Sequence, residues 1–274
     1  MKRQICLSVN ANGREMLLER TRAIADAGFD GFFSSRHGKE APSVADARFA
    51  AKETGLLLQS IHAPFGHVDA LWDGGEAGEA ALSVLLTCLE DCAANDVSLM
   101  ISHAFIGFDR HTPTEVGLEN FGRLIRRAGE LGVSLALENT EGEEYLAALL
   151  STFSGEKHVG FCWDSGHELC YNRKDMLALY GDRLLGTHLN DNLGVRDPAG
   201  EIITPRDDLH LLPFDGVGDW QIFAARLAGL SFGGPLTFEL KPSEDLSFAE
   251  YAKEAHSRAE RFASLVQSCA KNRT

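Results

Sequence analysis

The chain has 274 residues, of which 44% are hydrophobic and 24% are charged, and its formal net charge is −14 at pH 7. These proportions are typical of a folded protein with a sizeable core and argue against global disorder. Nucleic-acid affinity depends on Lys and Arg side chains that neutralise phosphates. The negative charge therefore disfavours DNA or RNA as a partner.

The N-terminal segment MKRQICLSVN has neither the apolar stretch nor the small-residue cleavage site of a signal peptide. No apolar run approaches the roughly 20 residues that are needed to span a bilayer. The six cysteines show no CxxC spacing, and in a chain without an export signal we expect them to be reduced. We therefore expect a cytoplasmic protein that does not act at a membrane.

Short apolar or β-branched segments alternate with longer helical patterns along the whole chain. In chain order, the predicted strands are QICLSV, GFFSS, LLLQSIHA, SLMISHAF, SLALEN, VGFCWDS, LLGTHLND and PLTFEL. The helical patterns span roughly residues 14–27, 43–54, 78–95, 115–131, 143–153, 174–181, 219–229 and 248–268. Thr114 is a predicted N-cap, and Gly28, Gly55 and Gly132 are predicted left-handed C-caps.

A strand followed by a helix, repeated eight times, predicts an α/β fold with parallel strands that close into a single-domain (βα)8 TIM barrel over residues 1–274. No linker or low-complexity segment suggests a domain boundary. The alternative is an open doubly wound sheet. It is disfavoured because no GxGxxG motif follows the first strand, where residues 10–13 are NANG.

Six predicted strands end in side chains that can bind a metal. Catalytic groups of such barrels lie at the carboxyl ends of the strands. Predicted strands three to eight end, in order, in His62, His103, Glu138, Asp164, His188 and Glu239. The residues two positions earlier share their face of the strand and are mostly small, as a narrow barrel interior requires: Ser60, Ile101, Ala136, Cys162, Gly186 and Thr237. We therefore expect all six polar side chains to face the mouth of the barrel.

Three of these six side chains are carboxylates, which repel one another in a partly desolvated site. Lys241 is the nearest cation in the sequence. A divalent cation would neutralise the carboxylates, and a mixed set of His and carboxylate ligands favours Zn²⁺, Mn²⁺, Co²⁺ or Fe²⁺ over Ca²⁺. Each residue alone is more often a loop anchor than a ligand, so the prediction depends on their occurrence together.

Three further segments extend this predicted site. In WDSGHE, His167 follows Asp164 by three residues and can turn back toward the pocket. In RDDLHLLPFDGVGDW, Asp208 and His210 are two residues apart and can face the same side of an extended segment. The loop HAPFGHVDALW supplies three candidate substrate contacts, which are Phe65, His67 and Trp72.

The ordered series of motifs resembles the xylose isomerase-like barrel superfamily, which includes sugar isomerases and epimerases and apurinic endonucleases of the endonuclease IV type. The motifs that carry the resemblance are SIHAP, SHAF, LALENT, CWDSGH, GTHLND, DLHLLPFDGVGDW and LTFELKP. The resemblance extends from about residue 4 to residue 265. The ordered set is specific for the superfamily but does not identify a substrate.

For an epimerase, the resemblance implies one metal ion held by Glu138, Asp164, His188 and Glu239. The two glutamates would also be the acid and base that move a proton through an enediolate. His62 and His167 would orient substrate hydroxyl groups. The expected substrate is a carbohydrate, a ketose or a sugar acid, without a phosphate group, and a homo-oligomer remains open.

For an endonuclease, the resemblance implies three zinc ions held by nine residues, which are His62, His103, Glu138, Asp164, His167, His188, Asp208, His210 and Glu239. All nine residue types are present. The net charge, the few basic residues after the first two strands, and Leu209 in place of the expected Arg disfavour this activity. A metal-dependent polyol dehydratase and a sugar-binding barrel without turnover are also compatible with these residues.

Overall fold

The computed structural model describes residues 3–109, 112–197 and 199–271. Eight parallel strands lie in the order β7-β6-β5-β4-β3-β2-β1-β8. They are β1 (Ile5–Ser8), β2 (Gly31–Ser35), β3 (Leu57–His62), β4 (Leu99–His103), β5 (Ser134–Glu138), β6 (Val159–Asp164), β7 (Leu184–His188) and β8 (Leu236–Phe238). A bridge between Leu189 and Phe238 joins the two ends of the sheet, so the predicted barrel is confirmed.

Ten helices pack around the barrel in the described part of the chain, and eight of them match the predicted helical patterns. They are α1 (Gly13–Ala27), α2 (Val44–Thr54), α3 (Ala70–Asp73), α4 (Gly75–Ala94), α5 (Glu115–Leu131), α6 (Glu143–Thr152), α7 (Ser165–His167), α8 (Met176–Tyr180), α9 (Trp220–Ala228) and α10 (Phe248–Lys271). Short 3₁₀ turns span Gly181–Arg183 and Pro205–Asp207. The short α3 and α7, and the single π-helical turn Glu168–Asn172 after α7, were not predicted.

The predicted helix caps are confirmed. The Thr114 hydroxyl accepts a hydrogen bond from the Gly117 amide at 3.1 Å, so it satisfies a donor that α5 leaves free. The glycines that follow α1, α2 and α5 adopt φ values of 102°, 72° and 68°, in the left-handed region that costs glycine little. These caps set the points at which the chain turns from each helix into the next strand.

Two apolar regions hold the barrel together. The larger region lies between the strands and the helices and includes outward-facing strand residues such as Leu137, Trp163 and Phe238. The smaller one lies inside the barrel and contains Leu99, Ile101, Ala136 and Cys162, with Leu185 packed against it. The alternation therefore follows the predicted parity, and the barrel interior below the candidate site is filled with small and aliphatic side chains.

Among the described helices, none combines the length and the apolar character that crossing a membrane requires.

Candidate active site

Four of the predicted ligands converge at the carboxyl ends of β5 to β8. Ligand atoms of Glu138, Asp164, His188 and Glu239 all lie within 4.8 Å of one another. The pairing of β6 with β7 places Asp164 beside His188. The His188 Nδ1 atom lies 2.8 Å from Glu138 Oε1 and 2.8 Å from Glu239 Oε2. Parallel neighbouring strands that end at the same level therefore bring three carboxylates and an imidazole to one point.

Glu138 is one of the two fully buried members of this cluster, together with Asp164. Its side chain is fully buried, and its Oε2 atom lies 3.1 Å from His62 Nε2 and 3.4 Å from His103 Nε2. Burial alone would raise the pKa of Glu138, but His188, His103 and His62 together hold that pKa well below its usual range. Both carboxylate oxygens are therefore ionised acceptors that face imidazole nitrogens.

The pKa values of the other three members of the cluster are shifted in different directions. Burial raises the pKa of Asp164 to about 6, although His167 acts against this rise. Burial alone would raise the pKa of Glu239, but His188 and His210 lower that pKa to about 2. Burial acts to lower the pKa of His188, yet Glu239 and Glu138 raise it well above its usual value. Without a cation, the protonated imidazole is the group that balances the carboxylates.

Two asparagines hold Asp164 in place. The Asn190 Nδ2 atom donates to both oxygens of the Asp164 carboxylate, at 3.1 and 2.9 Å. Asn139 accepts from the Asp164 amide at 2.8 Å and donates to its carbonyl oxygen at 2.9 Å. Gly166 is necessary beside them, because a Cβ atom there would lie 1.8 Å from Asn190 Oδ1. Partners of this kind orient the ligands of a metal ion.

A second cluster of potential ligands lies at the edge of the first. The Asp208 Oδ2 atom lies 2.9 Å from His210 Nε2 and 3.3 Å from His167 Nε2. A two-way pair of main-chain hydrogen bonds between Asp191 and Leu211, each 2.9 Å long, folds the loop after β7 back over the barrel. His210 has a φ of 48°, which is unusual for a residue other than glycine and is typical of functional sites.

Three histidines of the site make the same type of hydrogen bond to the main chain. The Nδ1 atoms of His62, His167 and His210 lie 2.8, 2.9 and 3.1 Å from main-chain carbonyl oxygens. A carbonyl oxygen only accepts, so Nδ1 carries the proton and Nε2 faces the carboxylates. This is the arrangement in which a metal-binding histidine donates its other N–H to a carbonyl.

Charge within the second cluster is shared in the same way as in the first. Burial would lower the pKa of His210, but Asp208 raises it to about 10. Burial also acts against the protonated form of His167, yet Asp164 and Asp208 hold its pKa well above its usual value. Asp208 is partly buried, which acts to raise its pKa, but the two histidines hold that pKa below the usual range.

The residues present fit a divalent cation. Three carboxylates and one imidazole form the first cluster, and that donor set suits Zn²⁺, Mn²⁺ or Co²⁺. Two buried polar atoms near the clusters, His188 Nε2 and Asp208 Oδ1, make no hydrogen bond within the described part of the chain. The arrangement can bind and polarise an oxygen-rich ligand and supply ionised carboxylates for proton transfer.

A cavity of about 350 Å³ opens above these groups. Among the predicted residues, it is lined by Phe65, His62, His103, His167, Asp208, His210 and Glu239. The ring of Phe65 stacks on His103 with a centroid distance of 4.4 Å, and His37 stacks on Phe65 at 3.9 Å. Phe65 therefore lies where the sequence predicts a substrate contact.

Two residues of the predicted substrate loop do not border this cavity, and those expectations are corrected. Trp72 is 2% exposed, packs against Phe121 and Tyr145, and donates its indole N–H to the Ala104 carbonyl at 2.8 Å. The apolar ring is thus part of the core between helices and strands. His67 lines a separate apolar pocket on the outer surface, beside α4.

Several residues that shape the site were not predicted from the sequence. Ile106, Phe108, Glu141, Tyr171 and Pro205 line the cavity, and all five lie in segments that follow a strand. A usable signal was present at Asn139, which directly follows the end of β5 in LEN, and at Asn190, which lies two residues after the end of β7 in HLN. Tyr171 had no such signal, because the π-helical turn that carries it is not evident from periodicity.

Comparison with known proteins gives a matching family. The sequence model of the xylose isomerase-like TIM barrel family matches residues 21–261. A relative from Sinorhizobium fredii, the uncharacterized protein y4fM, is 37% identical over 148 residues, which are 51% of this chain and 44% of the relative. The chain thus covers less than half the length of that relative.

Solved structures share the fold at low sequence identity. A fusion of a xylose isomerase-like TIM barrel with 4-hydroxyphenylpyruvate dioxygenase matches with 17% identity and a TM-score of 0.74, over 94% of this chain and 42% of the fusion. D-allulose 3-epimerase from Methylomonas sp., in complex with D-allulose, matches with 16% identity and a TM-score of 0.71, over 96% and 97% of the chains. The IOLI protein with a zinc atom matches with 17% identity and a TM-score of 0.72, over 97% and 98%.

Proposed function

This chain belongs to the xylose isomerase-like TIM barrel family, and we propose that it is a metal-dependent isomerase or epimerase of carbohydrates. Sugar epimerases are among the structures that share its fold. The observation that carries the proposal is the cluster of Glu138, Asp164, His188 and Glu239, whose ligand atoms lie within 4.8 Å of one another. A cluster of three carboxylates beneath a cavity fits a divalent cation that binds sugar oxygens.

When bound there, the cation would polarise a substrate carbonyl and so acidify the neighbouring C–H group. Glu239 lines the cavity and is partly exposed, so its carboxylate is placed to take that proton. Glu138 lies beneath it, fully buried, and is the second glutamate available for the return of the proton. The Nε2 atoms of His62 and His167 lie beside the carboxylates of Glu138 and Asp208, and we expect them to orient substrate hydroxyl groups.

The cavity favours a carbohydrate without a phosphate group. No Lys or Arg is among the described residues that line it, whereas Glu141, Asp208 and Glu239 are. A phosphate would meet carboxylates without a guanidinium or ammonium group to bind it. Hydroxyl groups, in contrast, donate to carboxylates and accept from imidazole N–H groups.

A zinc phosphodiesterase is the second candidate function. The cluster of His167, Asp208 and His210 favours it, because an enzyme with several zinc ions needs ligands beyond the first cluster. The absence of Lys and Arg from the described cavity lining argues against it, since a DNA backbone is neutralised by these side chains.

Metal content and proton exchange together test the proposal. The purified protein is analysed for bound metal, loaded with Mn²⁺ or Zn²⁺, and incubated with ketoses in D₂O. We expect one bound cation and deuterium incorporation next to the carbonyl group, both absent after chelation. Glu239→Gln should abolish exchange while Glu90→Gln, an exposed glutamate on α4, should retain it. Exchange at wild-type rates in Glu239→Gln, or cleavage of abasic duplex DNA without exchange into any ketose, would overturn the proposal.

A further inference from the structure

A second cavity, of about 570 Å³, adjoins the one above the metal ligands. We refer to the first as the inner cavity and to this one as the outer cavity. Phe108, Glu141 and Tyr171 line both, so these three side chains form the boundary between them. The inner cavity has a volume near the lower end of the range for ligand pockets, about 300–1,000 Å³. The proposed reaction at the metal ligands makes no use of the outer cavity.

Aromatic rings at the boundary offer a surface for an apolar face of a ligand. The Tyr171 ring stacks on His167 with a centroid distance of 5.1 Å and meets the Phe108 ring edge-on at 5.8 Å. The contact with His167 holds Tyr171 against the catalytic region. Ile202 and Ile203 lie on the lining of the outer cavity as well. Aromatic and aliphatic walls with a few polar groups are typical of sites for small organic ligands.

Polar groups of the outer cavity are mainly acceptors. The Glu141 carboxylate uses Oε1 to accept from the Gly107 amide at 2.8 Å, and within the described residues its second oxygen makes no hydrogen bond. Asp109 and Glu201 also line the cavity. Lys174, the one basic residue in the described lining, lies 2.6 Å from Glu143. Carboxylates accept hydrogen bonds from hydroxyl groups and repel anions, so these walls suit an uncharged hydroxylated ligand.

We propose that the substrate is a glycoside with two sugar units. The reacting unit, in the open-chain form that carries the carbonyl group, occupies the inner cavity above the metal ligands, and a second, uncharged sugar ring occupies the outer cavity against Tyr171 and Phe108. This inference rests on the proposed function and names its substrate class. Contacts with a part of the substrate that does not react can be used to hold the reacting part in place, and they raise kcat/KM.

The test compares free ketoses with the same ketoses carrying a glucosyl group. D-fructose, D-tagatose and D-allulose are each paired with the 6-O-glucosyl derivative, with the protein loaded with Mn²⁺ or Zn²⁺. Deuterium exchange in D₂O gives kcat/KM, and calorimetry gives Kd independently of turnover. For at least one pair, we expect the glycoside to be preferred by about tenfold or more, in kcat/KM or in Kd.

Variants then locate the preference. Ile202→Trp and Ile203→Trp add bulk at the outer cavity, and Ile202 is 65% exposed, so folding should tolerate the larger ring. Both variants should reduce the preference for the glycoside to about twofold or less and leave the values for the free ketose unchanged. Ile222→Trp is the matched control, because Ile222 is 54% exposed on α9 and does not line either cavity.

Failure of this inference is distinct from failure of the proposed function. If exchange occurs but each free ketose has the same kcat/KM and Kd as its glycoside, the outer cavity does not bind a second ring and the inference is wrong. It is equally wrong if neither Trp variant changes a preference that the wild type shows. If no sugar exchanges, the proposed function fails, and Kd decides the inference: tighter glycoside binding that both Trp variants remove supports it, and equal or absent binding overturns it.

Discussion

Replacing Gly166 with Ala tests how the protein holds Asp164. The added Cβ atom would lie 1.8 Å from Asn190 Oδ1 and 2.8 Å from its Cγ, closer than any real contact. Asn190 is fully buried, so its side chain has little free space in which to move. Its Nδ2 atom must then leave the two oxygens of Asp164, which it contacts at 3.1 and 2.9 Å.

The size of the effect follows from these two losses. Overpacking a buried site costs about 1–3 kcal/mol. Loss of hydrogen bonds to a charged group costs about 1.5–3 kcal/mol. The two costs are not additive, because the same movement of Asn190 relieves the steric clash and breaks the hydrogen bonds. We therefore expect Gly166→Ala to lower the free energy of unfolding by about 3 kcal/mol, and to weaken metal binding by about 10–100-fold.

A double-mutant cycle separates this account from a general effect of Ala at position 166. Urea unfolding of the metal-free protein gives the free energies, and calorimetric titration gives the metal affinities. Asn190→Ala removes the side chain that the new methyl group would overlap. In that background, Gly166→Ala should cost less than about 0.5 kcal/mol. Equal costs of Gly166→Ala in both backgrounds would contradict this explanation, because the penalty would not then arise from Asn190.

Three further outcomes are expected. Arg226→Met should lower the free energy of unfolding, measured in urea titrations, by about 3–5 kcal/mol. The reason is that buried Glu168 would lose the guanidinium group that lies 2.6 and 2.9 Å from its carboxylate oxygens. A loss below about 1 kcal/mol would show that the ion pair is solvated. Trp72→Phe should lower the free energy of unfolding by about 1–2 kcal/mol, because it removes the indole hydrogen bond and reduces the buried volume. The KM for the substrate should stay unchanged. A raised KM with unchanged stability would indicate that Trp72 contacts the substrate. Chelation of the metal should lower the unfolding temperature, since the three carboxylates of the first cluster would lose their neutralising cation. Re-addition of Mn²⁺ or Zn²⁺ should restore the unfolding temperature. An unaltered unfolding curve would argue against a cation at the first cluster.

Much of the fold was predictable, because its signals are local. Apolar strand segments alternate with amphipathic helices, and glycines such as Gly28 and Gly55 mark helix ends where only a left-handed backbone closes the turn. The same holds for the six strand ends from His62 to Glu239. In a parallel barrel all strands end on one face, so the position of a residue within its strand predicts where its side chain lies.

Other features needed the packed chain. Trp72 occupies an aromatic-rich loop and was predicted to contact substrate, but its indole finds an acceptor at Ala104 and a place between Phe121 and Tyr145. Composition of a loop does not reveal which side chains the neighbouring helices will cover. Tyr171 lies at the site because a single π-helical turn follows α7 and places its ring against His167.

The alternation of elements, the inward face of each strand and the residue types at the strand ends are local properties of the linear chain. Those properties follow from the period of two along a strand and from short-range capping, which need no distant partner. Packing of the whole chain, in contrast, fixes how Asn190 and Asn139 hold Asp164, how the loop after β7 brings Asp208 beside His167, and where the outer cavity lies. These depend on contacts between residues far apart in the chain, and on side-chain volumes that a linear pattern does not record.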